Sequence, residues 1–139
     1  MVGGQVLDIQ SEKRQCTKQE VIDIQTRKTG ALIQAACMLG VLAGQGSQEQ
    51  LLAAREFAAH IGLAFQIRDD VLDVIGNAEE LGKATGSDSN KNTFVHLYGI
   101  DVCNELVQAH TEKAVEALSI FKNAEFLKEL AFDMTSRTV

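Results

Sequence analysis

The 139-residue chain contains no proline. At the usual frequency of about 5% roughly seven would be expected, so the residue that most often breaks a helix is missing throughout. Long uninterrupted helices suit such a chain far better than a turn-rich sandwich or barrel. Hydrophobic residues make up 45% and charged residues 23%, ordinary globular values that argue against disorder and low-complexity tails. A chain of this length can bury about two-thirds of its unfolded surface, enough for one core. No repeat or linker divides it, and residues 1–139 read as a single all-α unit.

Thirteen Lys and Arg against nineteen Asp and Glu leave a net charge of −6, which makes a nucleic-acid surface a poor expectation. Three cysteines, Cys16, Cys37 and Cys103, share no Cys-x-x-Cys spacing, so neither a disulfide framework nor a zinc site is indicated and a reducing, cytoplasmic compartment is expected. The opening MVGGQVLDIQ lacks the basic, apolar and small-residue regions of a signal peptide. Apolar stretches are broken by Gly, Gln or charge before the ~18 residues of a membrane span.

Along the chain, residues 3–10 begin abruptly, like the middle of an element, and 11–18 form a polar loop. Thr17 with Glu20 has capping-box spacing before Val21 and Ile22, predicting a helix as far as Ala43. Its later part, ALIQAACMLGVLA, is apolar nearly all round and predicts burial between other helices. Ser47 and Gln50 repeat the box, and Leu51, Ala54, Phe57, Ala58, Ile61, Ala64, Phe65, Val71, Leu72 and Ile75 keep helical register in the longest element. Glycines at 76, 82 and 86 mark a long loop over 76–92, and FVHLY at 94–98 reads as a short helix in preference to a strand. Asp101 is the expected cap of a helix to about Phe121, and Asn123 that of a last one with Phe126, Leu127, Leu130 and Met134 on a common side.

The chemistry concentrates in AFQIRDDVLDV. On a helix Asp69 and Asp73, four apart, share a face, while Asp70 lies about 100° round, four residues after Gln66. Stacked carboxylates beside buried apolar residues repel unless a cation compensates. A hard cation such as Mg²⁺, which takes one or two carboxylates and completes its octahedron with water and phosphate oxygens, is the natural one. Alone, the pattern equally describes a solvated acidic stripe paired with Arg68 or a lysine, and that reading stays open here. Lys28, Thr29 and Gly30 lie on the second helix, and Lys83 and Lys91 in or beside the long loop. Lysine ammonium groups of this kind hold diphosphate oxygens as point charges. Gln5 and Asp8, three apart, offer a further polar rim.

Taken in order, GGQVLD (3–8), KTGALI (28–33), GLAFQIRDDVLDVIG (62–76), LGKATGSD (81–88) and KNT (91–93) resemble successive landmarks of trans-isoprenyl diphosphate synthases. The likeness is strongest to bacterial farnesyl diphosphate synthases, or geranyltranstransferases, and covers the C-terminal half of such an enzyme. It implies an antiparallel helix bundle of the isoprenoid synthase fold that joins an allylic diphosphate to isopentenyl diphosphate with Mg²⁺. By this matching Asp69, Asp70 and Asp73 are the metal motif, with Asp69 in direct contact. Lys28, Lys83 and Lys91 hold the allylic diphosphate, with Lys28, Asp69 and Lys83 in the catalytic set. Thr29 and Gln66 line the site, Gln5 and Asp8 stand on its rim, and Phe65 borders the isopentenyl pocket.

The family's earlier aspartate-rich motif and its basic isopentenyl-binding residues have no match in these 139 residues, where the other acidic doublet is Glu79-Glu80. The resemblance therefore implies a fragment with half a metal cluster and no complete turnover of its own. A half-bundle exposes faces that belong inside a bundle, and such patches drive association. The chain is thus expected to form oligomers or to need its missing N-terminal half. The alternative is a noncatalytic helical interaction module or pseudoenzyme subunit.

Overall fold

The computed structural model describes residues 2–12, 14–81 and 92–138, with the backbone alone at 77–81. Lys83 and Lys91 lie outside the described residues, as does most of the predicted loop. Every regular element among the described residues is helical. The order is α1 (Val2–Ser11), α2 (Lys18–Gln25), a π turn (Thr26–Gly30), α3 (Ala31–Ala43), α4 (Gln48–Leu81), α5 (Phe94–Tyr98), α6 (Ile100–Ala117), a 3-10 turn (Leu118–Ile120) and α7 (Glu125–Ser136).

Both predicted capping boxes are formed. The Thr17 hydroxyl accepts the Glu20 N–H at 3.3 Å while the Glu20 carboxylate accepts the Thr17 N–H at 2.8 Å. Ser47 and Gln50 exchange the same two bonds at 3.2 and 2.9 Å. Each box satisfies two donors that a helix start leaves over.

Four expectations are corrected. The helix expected to run to Ala43 contains one π turn, so α2 and α3 are continuous but out of simple α register. Helix α4 does not stop near Gly76 but continues to Leu81, because one helical glycine costs only about 1 kcal/mol and neighbouring turns absorb it. Asp101 sits in the first turn of α6, whose cap is Gly99 at φ +80, a conformation that side-chain-bearing residues rarely adopt. Asn123 likewise is not a cap, since α7 starts after Ala124, and its inward stripe is Leu127, Ala131, Met134 and Thr135, with Phe126 72% exposed.

Helices α4 and α6 run through both apolar clusters. One gathers Cys16, Val21, Ile24, Ile67, Val71, Phe94, Cys103 and Val107. The other gathers Phe57, Ala58, Ile61, Ala114, Leu118, Ala124 and Ala131. The first flanks the acidic segment with Ile67 and Val71, each worth about 2 kcal/mol of burial, and so fixes the rotation of α4 about its axis. All three cysteines are unbonded. No described helix is long and apolar enough to cross a membrane.

Helix α3 overturns the expectation of burial. None of its thirteen residues is buried, and Leu32, Leu39 and Leu42 are 58%, 63% and 57% exposed. Apolar periodicity requires a neighbour, and among the described residues no element covers this outer face of α3.

Close backbone approach seats the π turn. A methyl group on Gly4 of α1 would overlap main-chain atoms of Arg27 and Lys28, and one on Gly62 of α4 would crowd the Gly30 Cα at 3.3 Å. Replacing Gly4 by Ala is therefore expected to lower the unfolding free energy by about 1–3 kcal/mol in urea titrations. Unchanged stability would show that α1 does not pack on the turn.

Across α4 and α6, His60 Nδ1 and His110 Nδ1 stand 2.8 Å apart, so one ring donates and the other accepts. Burial lowers both pKa values; the nearby Lys113 adds to this at both rings and His60 at His110, while Glu56 partly offsets it at His60. The unfolded chain thus binds protons near pH 6.5 that the folded chain refuses, and stability falls as pH drops from 7 toward 5. His110→Gln should flatten that pH dependence in paired urea titrations at the two pH values.

Candidate active site

The three aspartates of α4 point to two neighbourhoods. Asp70 is half-buried, and its Oδ2 accepts the N–H of Phe94 at 2.7 Å, at the first residue of α5. Burial raises its pKa to about 6 against that hydrogen bond; Asp73 and Asp8 raise it further and Lys28 lowers it. Asp70, Asp73, Asp8 and Lys28 therefore share one electrostatic environment, although they come from three separate segments. Asp73 itself is exposed.

Lys28 is brought there by the π turn. Its Nζ donates to Asp8 Oδ2 of α1 at 2.6 Å, with about a third of each side chain exposed. A π turn inserts backbone into a helix and redirects the side chains it carries, which is why such turns recur at binding sites. Thr29, on the same turn, is half-buried, and Gln5, one turn before Asp8, is exposed. Ser11 ends α1 by donating to the Asp8 carbonyl at 2.6 Å, so the rim residue sits on a closed helical turn.

Asp69 faces elsewhere. Gln66 Nε2 lies 3.5 Å from its Oδ2, and Arg137, just past α7, pairs with its Oδ1. The Arg137 guanidinium also stacks on the Phe65 ring, 4.3 Å from its centroid. Phe65, Gln66 and Asp69 thus lie together under the end of the chain.

Two contributors were missed in the sequence. Arg137 lies 68 residues from Asp69, in a stretch where apolar spacing was the only guide. Asn92 is the other: its side chain accepts the Cys16 N–H at 2.8 Å and donates to the Ser11 and Arg14 carbonyls at 2.8 and 3.0 Å. It ties the α1–α2 connection to the start of α5, where Thr93 caps the helix. The KNT match had flagged these positions without a role.

A cleft of about 590 Å³ opens between α4 and the end of α6, lined in part by Glu49, Glu56, His60, Lys113 and Glu116. It contains none of the site residues predicted from sequence. Asp70, Asp73, Asp8 and Lys28 instead lie where α4 faces α1 and the π turn, and Asp69 lies under Arg137. Among the described residues no three acidic, histidine or cysteine side chains converge as a ready-made metal cage.

The all-α bundle has the isoprenyl diphosphate synthase fold, shared with a solved farnesyl-diphosphate synthase of Marinomonas at a TM-score of 0.82 and 34% identity. The chain belongs to the polyprenyl synthetase family, whose model matches residues 1–131. It is 35% identical over 136 residues to a farnesyl diphosphate synthase of Bacillus subtilis, covering 96% of this chain and 45% of that protein. To the farnesyl diphosphate synthase of Geobacillus stearothermophilus it is 41% identical over 116 residues, covering 82% and 39%. A Helicobacter pylori geranyltransferase solved with magnesium and isoprenyl diphosphate superposes with a TM-score of 0.74 at 31% identity, covering 98% of this chain and 45% of that one. The chain thus spans less than half the length of these relatives.

Because Asp70 is held protonated up to about pH 6, ionising it costs folding free energy that is absent near pH 4 and complete above pH 6. Asn at this position keeps an oxygen for the Phe94 N–H and removes the charge. Asp70→Asn should stabilise the metal-free chain by about 1–2 kcal/mol at pH 7 and by nothing near pH 4, read from urea unfolding at both values.

Proposed function

We propose that this chain is the diphosphate-handling, C-terminal portion of a prenyltransferase that condenses an allylic diphosphate, dimethylallyl or geranyl, with isopentenyl diphosphate. The observation that carries this reading is the seating of Lys28 on a π turn, ion-paired to Asp8 and within the electrostatic reach of Asp70 on α4. That the Helicobacter relative is solved with magnesium and isoprenyl diphosphate supports the substrate class.

The donor set fits magnesium. It is all oxygen, and at Asp70, whose pKa burial raises first, the neighbouring carboxylates of Asp73 and Asp8 add to the rise, a field that a bound cation would relieve. A site without a closed protein cage suits an ion that keeps several waters and shares phosphate oxygens. Asp69 would hold the ion directly, Asp70 and Asp73 through its waters. When bound, Mg²⁺ supplies the charge that stabilises the departing diphosphate.

The chain's own groups do the rest. Lys28, poised on Asp8, offers a charged donor for a phosphate oxygen, with Lys83 and Lys91 assigned beside it by resemblance. Thr29 and Gln66 supply neutral donors, Gln5 and Asp8 bound the rim, and Phe65 walls the isopentenyl side. Buried Ala64, Ile67 and Val71 keep water from reaching the reacting carbon through α4.

The sequence carries one aspartate-rich motif, so the 139 residues bind without turning over and the remaining carboxylates come from another segment or polypeptide. The exposed leucines of α3 favour a surface awaiting helices, which is also what a purely associating module would show.

Calorimetry with Mg²⁺ and geranyl diphosphate separates the two. The wild type is expected to bind, with Asp69→Ala and Lys28→Ala each weakened about 10-fold or more, the worth of a charged hydrogen bond. Equal binding by Asp69→Ala leaves only the associating module. Magnesium-dependent product from the purified chain with isopentenyl diphosphate would refute the half-site.

A further inference from the structure

The end of the chain is fastened across α4 at two independent points. Arg68, one residue before the acidic motif, donates from Nε and Nη2 to the main-chain carbonyl of Arg137 at 2.9 and 2.6 Å. Its Nη1 reaches Asn104 of α6 at 3.2 Å, which fixes the direction of that grip. The Arg137 side chain makes the second attachment, paired with Asp69 on one side and stacked on Phe65 on the other. Its Nε is buried and bonded to nothing among the described residues, so the guanidinium is held by charge and ring face with donor capacity to spare.

Resting on the assignment of Asp69 to the metal, we propose that Arg137 is the built-in counter-ion of that carboxylate, present when the metal is absent and displaced when it binds. Its guanidinium engages Asp69 Oδ1, while Oδ2 faces the Gln66 amide. A divalent ion on either oxygen would stand within a few ångströms of a positive guanidinium, and like charges at that distance exclude one another unless screened. Arg137 therefore leaves as the ion arrives. Its backbone stays where Arg68 holds it, so the motion is a side-chain swing and the terminal segment remains docked. The freed planar fork, still beside Phe65, is then free to pair with a phosphate oxygen.

Arg137 thus lowers metal affinity in the empty site and protects Asp69 from standing unpaired. The pair is partly exposed, 31% and 38% for the two side chains, which limits its strength to that of a screened ion pair. The test is Mg²⁺ titration of the full chain with inorganic diphosphate, followed by calorimetry and by the NMR resonance of the Arg137 Nε–H, assigned through its loss in Arg137→Lys. Arg137→Gln should bind Mg²⁺ about threefold to fivefold more tightly than wild type, and the Nε–H resonance should shift with the calorimetric midpoint. Should Arg137→Gln lose its helical circular dichroism, Arg137→Lys carries the test, with a gain of about twofold. If Asp69→Asn abolishes wild-type binding while neither Arg137 variant binds more tightly, this proposal fails and the metal assignment stands. If wild type and Asp69→Asn behave alike, both fail.

Discussion

The site depends on how closely three stretches of backbone approach one another. Gly4 lets α1 touch the main chain of the π turn, and Gly62 lets α4 approach the same turn at Gly30. With ordinary side chains at these places the elements would stand further apart. Lys28 would then lie outside the reach of Asp8, and its field at Asp70 would weaken with distance. The charges are arranged by sterics first, and their mutual attraction follows.

Much of this is legible in the sequence, because local rules govern it. The two capping boxes need only residues three apart, and the acid spacing on α4 needs only the helical repeat. The π turn is not legible: TRKTG suits an α-turn equally, and the change lies in which carbonyl each N–H chooses. Equally hidden are Asn92 and Arg137, whose partners lie dozens of residues away and whose side-chain types are common on surfaces. For Asp69, Asp70 and Asp73 the sequence places them on one helix. It cannot say that Asp70 is tied to the start of α5 while Asp69 looks toward the last residues.

Helix α3 shows the limit of periodicity from another side. Its composition reads as that of an interior element, yet none of its residues is buried, because periodicity carries no information about whether a neighbour is at hand. The chain belongs to the polyprenyl synthetase family and matches less than half the length of its relatives. Among the described residues the aspartates of α4 form no group of three metal-ligating side chains.

What Arg68 grips is a carbonyl oxygen, a group that every amino acid carries. The residue at position 137 is therefore replaceable without releasing the strand that bears it. A lineage of such proteins is free to explore basic, neutral or acidic side chains over the carboxylate of α4 while the scaffold beneath is preserved. Anchoring and chemistry have been assigned to different atoms of one residue, which makes this terminus an evolvable position in an otherwise tightly constrained neighbourhood.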